Sequence, residues 1–109
     1  MNHAFQDEVS LEIARRVAAR LTASPEPLRV ALDNLIRWSH QNANAPALLR
    51  CYAEWRIILA QPVGQVCARL CEESDEGQRL RQSSPFAGVL PASEVWDIKR
   101  RFRHATASA

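Results

Sequence analysis

Apolar residues recur every three to four positions along most of this chain, which is the spacing of one buried face of an α-helix. The first predicted helix covers about residues 6–22 and carries an apolar residue at every fourth position. That stripe consists of Phe5, Val9, Ile13, Val17 and Leu21, with Ala14 and Ala18 beside it. No segment alternates between apolar and polar residues for long enough to predict a β-strand. The pattern therefore predicts an all-α protein.

Proline and helix-capping residues mark where the later helices begin. Ser24 is a favoured N-cap and Pro25 fits the first turn of a second helix, while Pro46 and Pro62 open a third and a fourth. Ser74 caps a weaker helical turn, in which a glycine disfavours the helix. These signals predict helices over about residues 25–40, 46–60, 62–72, 75–82 and 92–103.

The same spacing predicts the inner faces of these helices. They are Leu28, Leu32, Leu35, Ile36 and Ser39 in the second helix, Leu48, Tyr52, Trp55, Ile58 and Leu59 in the third, and Val95, Ile98 and Phe102 in the last. Trp38 and Trp96 lie beside these stripes. Because short helices with proline-marked corners rarely align lengthwise, we expect a compact irregular or orthogonal bundle of five or six short helices. We predict one domain over residues 1–109, frayed at 1–5 and 105–109.

Length and composition place the chain among ordinary globular proteins. The 109 residues are 47% apolar and 24% charged, which excludes a disordered, collagen-like or low-complexity chain. The apolar runs are too short for a membrane span, so we expect no membrane partner. The amino-terminal sequence lacks a basic patch followed by an apolar run, so we expect no secretory signal.

The three cysteines, Cys51, Cys67 and Cys71, form an odd set. Together with the expected lack of an export signal, this number predicts reduced thiols and a cytoplasmic location. Cys67 and Cys71 share a helix face and continue an apolar rhythm, which favours core packing. The alternative is a pair of thiolates that faces a metal or acts in redox chemistry, although no Cys-x-x-Cys motif occurs. We assign no metal site and no cofactor.

Charge is unevenly distributed, although the net charge is only +2. Residues 62–76 carry one arginine against four acidic residues, whereas residues 77–109 carry six basic residues against two acidic ones. The densest basic run contains four candidate phosphate-binding residues, which are Lys99, Arg100, Arg101 and Arg103. Because cations also interact favourably with the C-terminal end of a helix dipole, the same run can serve only to stabilise a solvated helix end.

Residues 78–90 combine cations, hydroxyl groups, a proline and an apolar tip, a composition typical of partner-binding loops. The predicted partner-binding residues are Arg79, Arg81, Gln82, Ser83, Ser84 and Phe86. In a second interpretation, compatible with the first, the apolar residues of the segment fill the core while its two serines cap backbone groups. The two arginines diverge on a helix, so one can hold the loop to the acidic segment 72–76 while the other faces outward.

Two stretches of the sequence are distinctive. They are EWRIIL at 54–59, followed by a proline at 62, and DEGQRLRQSSPFAGVL at 75–90. Their most specific part is the run Arg-Leu-Arg-Gln-Ser-Ser-Pro-Phe at residues 79–86. In this combination, the chain resembles a group of small uncharacterised bacterial helical proteins over roughly residues 28–103. The resemblance implies a bacterial cytoplasmic setting, and it carries over neither catalytic residues nor a mechanism.

Motifs for catalysis are missing from the sequence. Three separate glycines are too few for a phosphate-binding loop, and neither a Gly-x-Ser-x-Gly elbow nor a His-Glu-x-x-His motif occurs. His3, His40 and His104 do not lie in a motif with a nucleophile. We therefore predict a non-enzymatic protein–protein interaction module that docks through its Arg-rich loop and helix faces, such as a small bacterial regulator or an antitoxin-like partner. Homo-oligomers are compatible with this prediction. The alternative is a nucleic-acid-associated protein whose basic C-terminal helix contacts phosphates.

Overall fold

The computed structural model describes residues 3–108, with their side chains from Phe5 to His104. This part of the chain forms six α-helices and no β-strand, which confirms the predicted all-α bundle. The helices are α1 (His3–Ala23), α2 (Glu26–Gln41), α3 (Pro46–Leu59), α4 (Val63–Leu70), α5 (Asp75–Gln82) and α6 (Ala92–Ser108). α1 and α6 extend into the predicted frayed ends, while Met1, Asn2 and Ala109 lie outside the described residues.

α1 is the central helix of the bundle. It packs against α2, α4, α5 and α6, while α3 packs against α2 and α4. Proline marks two of the corners, because Pro46 is the first residue of α3 and Pro62 directly precedes α4. α6 lies mainly on α1, so the opposite side of α6 is open to solvent.

A continuous apolar cluster fills the space between the helices. The predicted stripe of α1 is confirmed, because Val9, Val17 and Leu21 are buried while Phe5 and Ile13 pack against them. The later helices add Tyr52, Trp55, Ile58, Leu59, Val66, Leu70, Leu80 and Ile98 to the buried set. Full burial of such a side chain contributes roughly 1.5–3 kcal/mol, so this cluster is the main driving force for folding.

The prediction was wrong for part of the inner face of α2 and for the start of α3. Leu32 is 42% exposed, Ile36 is 53% exposed and Leu48 is 40% exposed. Leu35 is buried as predicted, and the other buried residues of α2 are Pro27, Ala31 and Asn34. Their arc is rotated from the predicted one by about a quarter turn of the helix. The rotation directs Asn34 toward the segment after α5, where its side chain forms buried hydrogen bonds that apolar spacing cannot reveal.

The predicted cap of α5 is confirmed, since the N–H of Gly77 donates to Ser74 Oγ at 3.0 Å. Gly77 is buried, and its α-carbon lies so close to the backbone of Glu72 that a β-carbon would overlap the carbonyl group. The glycine that weakened the sequence-based prediction of this helix is therefore required by the tight corner between α4 and α5.

We predict that Gly77→Ala destabilises the protein, although alanine is the better helix former. A methyl group at position 77 would force the backbone of Glu72 to move, and overpacking of this kind costs about 1–3 kcal/mol. Gly64→Ala is the matched control, because open space surrounds the α-carbon of Gly64 in α4. That control should be neutral or stabilising by up to about 1 kcal/mol. Urea unfolding followed by circular dichroism compares the two variants, and equal free energies of unfolding would contradict the tight corner.

Candidate interaction surfaces

The segment that follows α5 folds inward rather than forming an exposed loop. Phe86 is 4% exposed, and its ring meets Trp55 edge-on with 6.2 Å between the ring centroids. The indole N–H of Trp55 donates to the carbonyl of Leu80 at 3.1 Å. The apolar tip of the predicted partner-binding loop is therefore part of the core, as the second interpretation of this segment expects.

Asn34 holds the same segment from the side of α2. Its buried amide nitrogen donates to the carbonyls of Pro85 at 2.8 Å and Ala87 at 3.0 Å. Gly88 follows in the left-handed backbone region, with φ of 90°, where glycine is favoured. Sequence reasoning missed Asn34, and the only signal for it was a polar residue one position before the inward-pointing Leu35.

The two arginines of the segment also form intramolecular contacts. Arg81 donates through Nη1 to the carbonyls of Leu70 and Glu72, at 3.2 Å and 2.7 Å, and so ties α5 to the acidic segment. Arg79 is exposed and pairs with Glu54 at 2.9 Å and with Glu76. Arg81 thus holds the segment in place while Arg79 faces outward, which is the division that the sequence indicated.

The other three predicted residues lie at the edge of a groove of about 360 Å³, which we call the Trp38 groove. It is lined by Trp38, Gln41, Asn42, Leu48, Tyr52, Gln82, Ser83 and Ser84. Trp38 and Tyr52 lie with their ring centroids 5.9 Å apart, inclined at 44°. The amide of Asn42 donates to the Trp38 carbonyl at 3.0 Å and to Tyr52 Oη at 3.2 Å. The floor of the groove is therefore held in a fixed shape.

The four predicted phosphate-binding residues, Lys99, Arg100, Arg101 and Arg103, are all exposed on α6. Arg100 pairs with Asp97 at 3.1 Å, whereas the other three cations form no ion pair with any described side chain. Trp96 precedes them on the same helix and is 59% exposed. We call Trp96, Lys99, Arg100 and Arg103 the basic face of α6, because the rotation of about 100° per residue directs Arg101 away from Trp96.

Glu94 fixes the start of α6 to α1. Its carboxylate binds Arg20 at 2.5 Å and Arg16 at 3.1 Å, and its side chain is more shielded from solvent than the exposed Asp97–Arg100 pair of the same helix. The hydrogen bond from Arg20, followed by that from Arg16, holds the pKa of Glu94 below its ordinary value of 4.5. The charge of Glu94 is thereby neutralised on the side of α6 that faces α1.

The environment of the cysteines favours neither thiol reactivity nor metal binding. Cys67 and Cys71 are half-buried and pack against the core. Burial raises the pKa of the Cys71 thiol, which keeps it protonated and weakly nucleophilic. Among residues 5–104, no three His, Cys, Asp or Glu side chains are placed to hold a metal ion. Over the described part of the chain, no helix has both the length and the apolar character needed to span a membrane.

Comparison with known proteins adds no assignment to these surfaces. No protein-family model matches this chain, and no curated protein and no solved structure matches it.

We predict that Glu94→Gln destabilises the protein at neutral pH and that the effect fades in acid. The lowered pKa of Glu94 means that its ionised form stabilises the fold. This stabilisation is complete above the ordinary glutamate pKa and is lost as the pH falls through the lowered value.

Asp97→Asn is the control for this prediction, because Asp97 forms an exposed pair with Arg100 that contributes little to stability. Urea unfolding of the two variants and the parent protein at a series of pH values makes the comparison. A Glu94→Gln effect that does not change with pH, or that is no larger than that of Asp97→Asn, would show that Glu94 does not fix α6.

Proposed function

We propose that this chain is a non-enzymatic protein–protein interaction module that binds an uncharged apolar segment of its partner in the Trp38 groove. The observation that carries the proposal is an accessible aromatic and aliphatic floor beside a rim of amide and hydroxyl groups. This combination suits a protein segment, because an apolar side chain can fill the floor while the rim satisfies the backbone around it.

The floor of the groove provides the apolar contact. Leu48, at the start of α3, is 40% exposed, and Trp38, which also lines the groove, is half-buried. Covering such surface contributes roughly 25 cal/mol for each Å² removed from water. Trp and Tyr are also the residue types that most often anchor protein interfaces. Because Asn42 holds the Tyr52 hydroxyl and the Trp38 ring packs on Tyr52, these two side chains lose little conformational entropy when a partner binds.

The rim determines which segment fits. Gln41 and Gln82 are exposed and offer both amide donors and amide acceptors. Ser83 adds a hydroxyl group, whose hydrogen bond to the Leu80 carbonyl is long at 3.4 Å. Among the described residues, no charged side chain lines the groove, so a charged partner segment would lose water without gaining an ion pair. The groove therefore selects a neutral segment with one protruding apolar side chain.

The biological setting of this module rests on the sequence. The odd cysteine number and the resemblance over residues 28–103 support a bacterial cytoplasmic protein. In that setting, a small module with the Trp38 groove and no catalytic motif in its sequence suits a regulator or an antitoxin-like partner of another protein.

Paired substitutions test the groove. Leu48→Glu places a charge on the groove floor, whereas Ile57→Glu places the same charge on an apolar residue of α3 that is 68% exposed and does not line the groove. Both positions are exposed, so we expect both variants to fold, as circular dichroism and unfolding in urea can verify. Each variant is immobilised and incubated with extract of the source cells, and the bound proteins are quantified by mass spectrometry.

We expect Leu48→Glu to recover about tenfold less of the specific partner, or less still, because binding would bury an unpaired charge at the groove floor. Ile57→Glu should retain it. Equal recovery of every bound protein by the two variants would contradict docking in the Trp38 groove.

A further inference from the structure

The outward side of α6 presents one tryptophan in line with two arginines. Trp96, Arg100 and Arg103 are spaced by four and three residues, so they lie on one side of the helix over about 10 Å. The core-facing side of the same helix is formed by Ile98, which is buried, and by half-buried Val95 and Phe102. The tryptophan therefore points away from the core, together with the cations.

The exposure of Trp96 sets it apart from the other tryptophans. Trp55 is fully buried and Trp38 is half-buried against Tyr52, whereas Trp96 is 59% exposed. An indole in water loses the stabilisation that burial would give, and tryptophan and arginine are among the residue types that most often anchor binding surfaces. Trp96 makes no contribution to the core that would explain its presence.

Positive charge dominates the surroundings of Trp96. Glu94 is neutralised on the α1 side by Arg16 and Arg20, and Asp97 is paired with Arg100. The remaining cations, Lys99, Arg101 and Arg103, form no ion pair with any described side chain. These cations can approach anionic groups without first breaking an intramolecular bond.

We propose that the basic face of α6 binds single-stranded nucleic acid, with a base stacked on Trp96 and the flanking phosphates held by Lys99, Arg100 and Arg103. Cations bound to phosphates and an aromatic ring bound to a base are the two elements of single-strand recognition. In a duplex, each base is already stacked between its neighbours, so no base is available to stack on the indole of Trp96. An acidic protein would be attracted by the same cations, so polyglutamate serves as the competing ligand in the test below.

This inference is independent of the Trp38 groove, because the two surfaces share no residue. A failure of one proposal therefore leaves the other intact. The probe is a fluorescently labelled oligothymidylate of about 12 nucleotides, a length within the range that single-strand binding sites cover. Fluorescence anisotropy of this probe gives the dissociation constant at several salt concentrations.

Four variants separate stacking from charge. Trp96→Ala should weaken oligothymidylate binding by about tenfold or more, and Trp96→Phe should restore part of it, because phenylalanine retains a stacking face. Arg100→Ala/Arg103→Ala should weaken binding and flatten the slope of log K against log salt by about 1.4. Arg29→Ala/Arg50→Ala removes the same charge from exposed positions of α2 and α3, and should change binding by less than about twofold.

Intrinsic fluorescence gives a second readout. Quenching by unlabelled oligothymidylate should be strong in the parent protein and largely absent from Trp96→Phe, because Trp38 and Trp55 lie outside the basic face. The proposal is overturned by undetectable binding at low salt, by equal affinity for a duplex of the same length, or by unchanged affinity of Trp96→Ala. Binding of polyglutamate as tight as that of oligothymidylate would overturn it in favour of an acidic protein partner.

Discussion

The buried indole of Trp55 connects α3 to the end of α5 and to the segment that follows it. Its nitrogen donates to the carbonyl of Leu80 at the end of α5, and its ring edge packs on Phe86 from the segment that follows. An indole N–H buried without an acceptor would cost about 1–3 kcal/mol. This cost favours an arrangement in which the end of α5 brings the Leu80 carbonyl within hydrogen-bond distance of Trp55. The position of α5 in turn determines where residues 83–91 enter the core.

Most of the chemically distinctive side chains of this region serve that arrangement. Asn34 binds two carbonyls of the segment from one side, and Arg81 binds two carbonyls near the end of α4 from the other. Each satisfies backbone oxygens that lack a helical partner, as buried carbonyl groups require. The run Arg-Leu-Arg-Gln-Ser-Ser-Pro-Phe, which suggested a binding loop, is thus largely scaffold, and only residues 82–84 of it line the Trp38 groove.

The sequence predicted the helices closely, since their signals are local. Ser74 caps α5 through a hydrogen bond to a residue only three positions away, and the stripe of α1 needs nothing beyond its own spacing. The orientation of α2 was not predictable in this way. Asn34 has its partners more than 50 residues later, so Leu32 and Ile36 were expected inside although they lie outside.

The two candidate surfaces also differ in whether their residues lie close together in the sequence. The cations of α6 lie within one helix, so the sequence alone identifies them as a basic cluster. The exposure of Trp96 beside them depends on how α6 docks on α1, which only the structure shows. The Trp38 groove joins residues 38–52 to residues 82–84, and no local pattern brings these together.

Hydrogen exchange of the tryptophan indole N–H groups, followed by NMR, tests the central role of Trp55 most directly. The indole N–H of Trp55 should exchange only through global unfolding, with the same free energy as urea unfolding gives, while that of exposed Trp96 should exchange orders of magnitude faster. If the Trp55 indole exchanged through a local opening of residues 83–91, at a free energy well below that of global unfolding, this segment would not be part of the core.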